Sequence, residues 1–229
     1  MRQHPYNAEQ CGSFLVASDV MLLTTVAVVL AYLLGSVPGG LVLGRLIGVN
    51  LLNQGSGNAG ATNAWRARGP AFAITVFLFD AAKGVVAVML LPRIAPAPPW
   101  LPEACAAAVL IGHVYPIWYG FRGGKGFATL LGIVVALTPL ALPALIGVWF
   151  LILVLSGYVS LATLAAALAY PFFLFVVPLF RYPSLLPLLI FSTGVTLFLF
   201  YTHRDNIRRL MAGTENRFER VRWFKHGRF

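Results

Sequence analysis

Residues 126–155 read GFATLLGIVVALTPLALPALIGVWFLILVL, an apolar stretch without a single charged side chain. A helix crosses the ~30 Å hydrocarbon core of a bilayer in about 20 apolar residues, so this stretch is too long for one span. Only Pro139 and Pro143 divide it. Proline removes a helical N–H and clashes with the preceding turn, so the stretch is either two spans joined by a tight turn or one long kinked helix. On both sides of it, further apolar runs punctuated by Pro, Gly and charge lie at 20–47, 70–91, 103–118, 158–180 and 184–203. With 126–139 and 140–155 they predict an all-α polytopic membrane protein of about seven transmembrane helices, or six if the central stretch stays whole.

The composition agrees. The chain has 229 residues, 59% hydrophobic and only 10% charged, with a mean hydropathy of +0.81. That is too little polar surface to cover a soluble core. The net charge of +10 would suit nucleic acid if it were spread over one face, but eight of the seventeen Lys and Arg fall between Arg204 and Arg228. Such a basic tail acts as a topological signal or lies against anionic headgroups, and no nucleic-acid partner is expected. Cys11 and Cys105 form no CxxC pair and imply neither metal nor redox chemistry. Three regions follow: a polar, disordered extension over 1–19, a transmembrane domain over 20–203, and a basic tail over 204–229. Residues 1–19 make a poor signal peptide, and Met21 is an alternative start that sequencing the mature N-terminus would test. Arg45, Arg66 and Arg68 follow the first span, Arg122 and Lys125 the third, and the basic tail the last. Seven spans with the N-terminus outside place all of these, and the C-terminus, in the cytoplasm; Arg93, Glu103 and Arg181 fall on the other face.

Four segments can carry chemistry. Gly55-Ser56-Gly57-Asn58-Ala59-Gly60-Ala61-Thr62-Asn63, closing with Arg66, is unlike any lipid-facing helix. Its glycines let successive N–H groups converge while Ser, Asn, Thr and Arg add donors, which is a nest for a phosphate, unless it is an ordinary interfacial loop. Gly112-His113 and then Phe121-Arg122-Gly123-Gly124-Lys125-Gly126 run into an apolar helix, and Lys125 at a helix start is a second anion cradle or else a topogenic turn. It is not a Walker A loop, because the first glycine and the Ser/Thr of that motif would fall on Tyr119 and Gly126. Asp80 and Lys83 share one helix face inside a span, where they pair structurally or face substrate. His203-Arg204-Asp205-Asn206, followed by Gly213-Thr214-Glu215, puts His203 and Asn206 on one side of a continuing helix, as site residues or as interfacial anchors. No Cys, His or carboxylate spacing suits a metal. The convergent ligand is an anion, with phosphate the leading candidate.

Together these segments resemble the bacterial acyl-phosphate-dependent glycerol-3-phosphate acyltransferases over residues 22–218. The carriers are Gly35-Ser36-Val37-Pro38, GSGNAGATNAWR at 55–66, Asp80-Ala-Ala-Lys83-Gly84, GHVYPIWYGFRGGKGFAT at 112–129, Tyr158-Val159-Ser160-Leu161 and HRDNIRRLMAGTE at 203–215. The resemblance implies transfer of an acyl chain from acyl-phosphate to glycerol 3-phosphate in the bacterial inner membrane, by a monomer, without metal, CoA or other cofactor. It implies Ser56, Arg66, Lys125, His203 and Asn206 as catalytic. Gly55, Gly57, Asn58, Thr62, Asn63, Gly123, Gly124 and again Lys125 would bind substrate. Asp80, Lys83 and Glu215 are expected to be structural. The base for the attacking hydroxyl is either His203 or a phosphate oxygen of the substrate, with the latter favoured. Family members carry D-x-R-x-x-G-S before the first loop, where this chain has Asn50 and Leu52; that loop has lost a donor, or the position only anchors it. An organic-anion transporter or a lipid-binding scaffold are the rival classes. The polar segments cluster at one face without an inverted repeat, which argues against the first, and the Gly-rich motifs argue against the second.

Overall fold

The computed structural model describes residues 8–94, 98–176 and 185–218, and the side chains from Ser18 onward. The described residues form ten α-helices and no strand: α1 Ala8–Gly35, α2 Gly39–Leu46, α3 Ala61–Arg68, α4 Pro70–Met89, α5 Leu101–Val114, α6 Phe127–Leu137, α7 Leu142–Ser156, α8 Val159–Val176, α9 Leu185–Thr202 and α10 Arg204–Met211. Six stretches, built on α1, α4, α5, α7, α8 and α9, are long and apolar enough to cross a membrane, and α6 is a shorter apolar helix. The protein is a multi-pass membrane protein. Large apolar side chains such as Ile74, Leu78, Phe150, Phe172, Phe175 and Ile190 stay exposed on the outside of the bundle, as lipid-facing residues must.

The central stretch resolves into two helices. α6 ends at Leu137 and a 3-10 turn over Pro139–Ala141 leads into α7. The proline at 139 cannot continue α6, and the Thr138 hydroxyl at the corner is within 2.9 Å of the Tyr170 hydroxyl, a buried bond that satisfies both. The predicted helix over 20–47 is two helices instead. α1 closes where the N–H and hydroxyl of Ser36 both donate to Tyr32 O, and Pro38 starts α2 in a new direction, accepting from the N–H groups of Leu41 and Val42. At the other end α1 begins at Ala8, inside the segment read as a disordered extension; no proline or glycine interrupts it between Ser13 and Leu34. Residues 1–7, Arg181 and most of the basic tail lie outside the described residues.

Lipid offers no hydrophobic drive between helices, so close packing at small residues replaces it. α1 crosses α5 and α4 crosses α6 in this way. A Cβ at Gly35 would lie 2.2 Å from Val109 O, and one at Gly112 would lie 2.2 Å from Tyr32 O. A Cβ at Gly132 would lie 1.9 Å from Ala81 O, and one at Gly84 would lie 2.5 Å from Thr129 O. Around these crossings Val109, Leu130, Ile133, Val134, Leu145 and Leu174 form one buried core. Gly132→Ala must push α6 off α4 against backbone, and is expected to lower stability by about 1–3 kcal/mol or more; thermal unfolding of the purified variant in detergent checks this.

Candidate functional site

The polar segments meet at one end of the bundle. The N–H of Ala59 in the first loop donates to Gly123 O in the second at 3.4 Å. Lys125 reaches Asn206 on α10, and Ser160 at the start of α8 bonds Glu215 at 3.0 Å. Segments that are up to a hundred and fifty residues apart in sequence thus share one surface.

The first loop is organised by a side chain. Asn63, 2% exposed, donates through its amide to the carbonyls of Leu51, Gln54 and Asn58, each at 2.9 Å, and its oxygen accepts the Ser56 N–H at 2.9 Å. The Asn58 oxygen accepts the Gly60 N–H at 2.9 Å, and the Gly57 N–H donates to Gln54 O at 3.0 Å. With Ala59 bonded across to Gly123, most of the loop's amides are committed inside the protein. Asn63 thus spends its hydrogen-bonding capacity on shaping the loop, whereas Asn58 spends only its two oxygens there. Among the described residues, the Ser56 and Thr62 hydroxyls, the Asn58 side-chain amide and the Arg66 guanidinium are donors that this network does not use. Gly55 and Gly57 adopt φ of 57° and 65°, and a Cβ at Gly55 would sit 2.2 Å from Asn63 Oδ1, so these glycines serve the turn. Asn50, in place of the family's acid, caps the 3-10 turn over Leu51–Asn53 by accepting the Leu52 N–H at 3.0 Å. An asparagine oxygen at this position is a good cap. Leu52, half-buried, lines a cleft of about 350 Å³ with Leu41, Arg45, Val49 and Tyr119.

The second loop is pinned in the same way. The N–H groups of Gly123 and Gly124 donate to Val114 O and His113 O, both at 3.1 Å, which again removes two amides from the expected phosphate cradle. Beneath this loop lies a buried charge cluster. Lys83 Nζ is 2.9 Å from Asp80 Oδ1, as the sequence spacing predicts, but it also donates to Gly35 O and Val37 O at 3.2 Å and lies 2.8 Å from His113 Nδ1. Asp80 Oδ1 accepts the Gly39 N–H at 2.9 Å. His113 Nδ1 is also 3.4 Å from Asp80 Oδ1, so this face of the ring is taken up by the cluster and Nε2 is left on the other side. That nitrogen faces the second loop: a Cβ at Gly124 would lie 2.0 Å from it. His113 is the residue that sequence reasoning left unassigned. Its signal was present, since an ionisable side chain inside a span needs a partner.

Above the loop, Lys125 stands with Asn206, whose amide donates to Glu215 Oε1 at 2.6 Å. Arg209 Nε donates to Glu215 Oε2 at 2.7 Å, and Thr202 Oγ1 donates to Lys125 O at 3.1 Å. Glu215 therefore holds α8, α10 and the C-terminal segment together. Burial, then the charges of Arg209 and Arg66, push the Lys125 amine down to about 8, against the pull of Glu215 and Asp205. Burial also pushes the Glu215 carboxyl up, but hydrogen bonds from Asn206, Arg209 and Ser160 outweigh it and hold the group below its usual range. His203 is not on a continuing helix: α9 ends at Thr202 and His203 caps α10. Its ring is nonetheless buried, as is the side chain of Asn206, with Nδ1 2.8 Å from Leu199 O. Burial, then the Lys125 charge, push it down to about 4, so the ring is neutral near pH 7. With its Nδ1–H given to Leu199, Nε2 carries a lone pair. Lys125, Arg66 and Arg209 are thus three cations around one hydrogen-bonded carboxylate, an excess of positive charge beside hydroxyl donors and a neutral imidazole. That arrangement holds anions and can align a hydroxyl. Sequence reasoning assigned no role to Thr202 or Arg209; Thr202 lies just before the motif at 203–215, and Arg209 lies within it but was given no role of its own.

The model of the family described as glycerol-3-phosphate acyltransferase matches residues 25–213. Curated relatives with that name include those of Geobacter sulfurreducens, 40% identical over 199 residues, which cover 87% of this chain and 100% of the relative, and of Bordetella petrii, 42% identical over 200 residues, which cover 86% and 94%. Among solved structures, the crystal structure of PlsY, an integral membrane glycerol 3-phosphate acyltransferase, in its glycerol 3-phosphate form aligns with a TM-score of 0.78 at 39% identity, covering 85% of this chain and 95% of that one. Its lysophosphatidic acid form aligns with a TM-score of 0.77 at 38% identity.

Asn63→Ala removes the four side-chain bonds that tie the first loop together, leaving buried carbonyls and the Ser56 N–H without partners at roughly 1–3 kcal/mol each before relaxation. The bundle is expected to survive, and amide hydrogen exchange over 51–63 to rise by at least about tenfold relative to α5 and α8.

Proposed function

The chain belongs to the glycerol-3-phosphate acyltransferase family, and on that basis we propose that it moves a fatty acyl group from acyl-phosphate to the 1-hydroxyl of glycerol 3-phosphate, giving lysophosphatidate and inorganic phosphate. The observation that carries this reading is the cluster of Lys125, Arg66 and Arg209 around the carboxylate of Glu215, with Asp205 paired to Arg208. Half-buried positive charge in such excess needs an anion, and both substrates bring one. The solved PlsY forms with glycerol 3-phosphate and with lysophosphatidic acid support the same assignment.

An acyl-phosphate is a mixed anhydride whose leaving group is already good, so no acyl-enzyme is needed. The protein's task is to hold two anions in attack geometry and to stabilise the tetrahedral oxyanion. Lys125 and Arg66 neutralise phosphate, with Ser56 and Thr62 hydroxyls as further donors. Gly123 and Gly124 act by letting the loop pack against His113. His203, neutral with its lone pair on Nε2, accepts a hydrogen bond from the attacking hydroxyl and aligns it. The hydroxyl oxygen bonds to the acyl carbon, the carbon–oxygen bond to phosphate breaks, and the proton passes to a phosphate oxygen. Asn206 holds Lys125, and Glu215 holds Asn206. Asn63 and Asn58 shape the first loop, and Asp80 with Lys83 forms its foundation. No cofactor takes part.

The enzyme is placed in the bacterial inner membrane as a monomer, N-terminus outside and the polar end in the cytoplasm. Supporting this, Arg45, Arg66, Arg68, Arg122, Lys125 and the α10 arginines all fall at the polar end, while Arg93 lies at the far end of α4.

The test is phosphate release and lysophosphatidate formation from palmitoyl-phosphate and glycerol 3-phosphate by the purified protein in detergent. Product is expected only with both substrates, and Lys125→Ala should reduce it by roughly a hundredfold. A folded preparation that makes no product sinks the reading. Because Lys125 must be charged to bind phosphate, kcat/KM should be full below about pH 8 and fall as pH rises through it. Lys125→Arg should move that limb beyond the measurable range, since a guanidinium stays charged.

A further inference from the structure

The chemistry above leaves one part of the polar end unused, the strap that follows α10. Past Gly213 the chain turns back over the site, and beyond Glu215 it is fastened to the turn between α7 and α8. The N–H of Phe218 donates to Gly157 O at 2.8 Å, and the Arg217 guanidinium lies 4.6 Å over the ring of Tyr158. With its backbone fixed there, Phe218 meets a different element, α3. Its ring stands edge-on to Trp65 with centroids 6.0 Å apart and planes at 82°, and the Arg66 guanidinium lies over it at 5.9 Å. α3 packs on α4, so the strap links Arg66 to the α7–α8 side of the site. Arg217 and Phe218 lie beyond residues 25–213, the segment matched by the family model.

We propose that Phe218 is a positioning residue for Arg66, holding its guanidinium oriented for substrate phosphate. The proposal rests on the reading of Arg66 as a phosphate ligand. The physical reason is the way the contact divides the guanidinium. A ring 5.9 Å from Cζ attracts the guanidinium through its π face without occupying an N–H, so the N–H fork stays free for two phosphate oxygens. A carboxylate would occupy the fork, and the nearby carboxylate, Glu215, is already taken up by Asn206, Arg209 and Ser160. Arg66 is exposed on its open side and rich in rotamers; fixing it before the ligand arrives lowers the ordering that binding must supply.

The experiment compares Phe218→Leu, which keeps an apolar side chain without a π face, and Phe218→Trp, which keeps the face, with Arg66→Ala and Arg66→Lys. For each, KM for glycerol 3-phosphate and palmitoyl-phosphate, kcat and the unfolding temperature in detergent are measured. Arg66→Ala identifies the substrate that Arg66 holds, through the KM that rises. For that substrate Phe218→Leu should raise KM roughly two- to fivefold with kcat unchanged, Phe218→Trp should restore it, and Phe218→Leu should add nothing further in an Arg66→Ala background. A purely structural strap would lower the unfolding temperature and leave KM where it was. Wild-type KM values in Phe218→Leu, with Arg66→Ala impaired, overturn the positioning role alone. Wild-type values in Arg66→Ala remove the reading of Arg66, and the proposal with it.

Discussion

A charge inside a lipid-embedded bundle must be paired, and here one paired cluster sets the position of everything that carries function. An unpaired Asp or Lys at the centre of a spanning helix costs about 2.5–3.5 kcal/mol on insertion scales. Asp80 and Lys83 avoid that through each other, and their remaining capacity is used to join elements. Lys83 binds the carbonyls of Gly35 and Val37 where α1 ends. Asp80 binds the N–H of Gly39 where α2 begins. His113 joins them from α5. The break between α1 and α2, which a proline makes necessary, is thereby satisfied electrostatically at both ends. Gly124 rests directly against His113, so the level of the second loop is set by the same cluster. The first loop is then levelled from the second through the Ala59 to Gly123 bond.

This hierarchy explains why so many amides of the Gly-rich segments bond inward. A loop held at a membrane surface by packing alone would be mobile, and a site for two anions needs donors fixed to within a fraction of an ångström. The amides provide the rigidity by bonding inward, to Asn63, Asn58, Gln54, His113 and Val114. On the proposed reading, binding falls to side chains carried on this frame: Ser56, Thr62, Arg66 and Lys125. The electrostatics are divided accordingly. Lys125, partly desolvated and beside two arginines, has an amine at about 8, so it keeps its charge near neutral pH while remaining eager for an anion. The neighbouring His203, at about 4, stays neutral and adds no further repulsion.

Much of this was legible beforehand. Hydropathy alone yields the spanning helices, because lipid permits so few alternatives, and the pairing of Asp80 with Lys83 follows from a spacing of three on a helix. Lys125 and Asn206 also met as expected. Other features were misjudged for local reasons. A glycine-rich segment advertises backbone freedom, which suits a nest and an internally bonded loop equally well, and only the position of Asn63 twelve residues beyond Leu51 decides between them. His203 and Asn206 share a site across a break between α9 and α10, where a continuous helix was expected. Of the two departures from the family pattern, Asn50 caps the turn through its oxygen, while Leu52 leaves the position without the donor that an Arg would supply.

The sequence by itself determined the helices, the membrane, the family and the residue types that hold phosphate, because each depends on local composition or on motifs in a fixed order. The tertiary structure decided which donors are free. Hydrogen-bond capacity is finite, and whether the amide of Gly123 or the oxygen of Asn63 is available depends on partners that fold in from far along the chain. The same holds for His113 under Gly124 and for Phe218 under Arg66, contacts that no periodicity announces and that exist only once α5, α3 and the C-terminal strap have been brought to one end of the bundle.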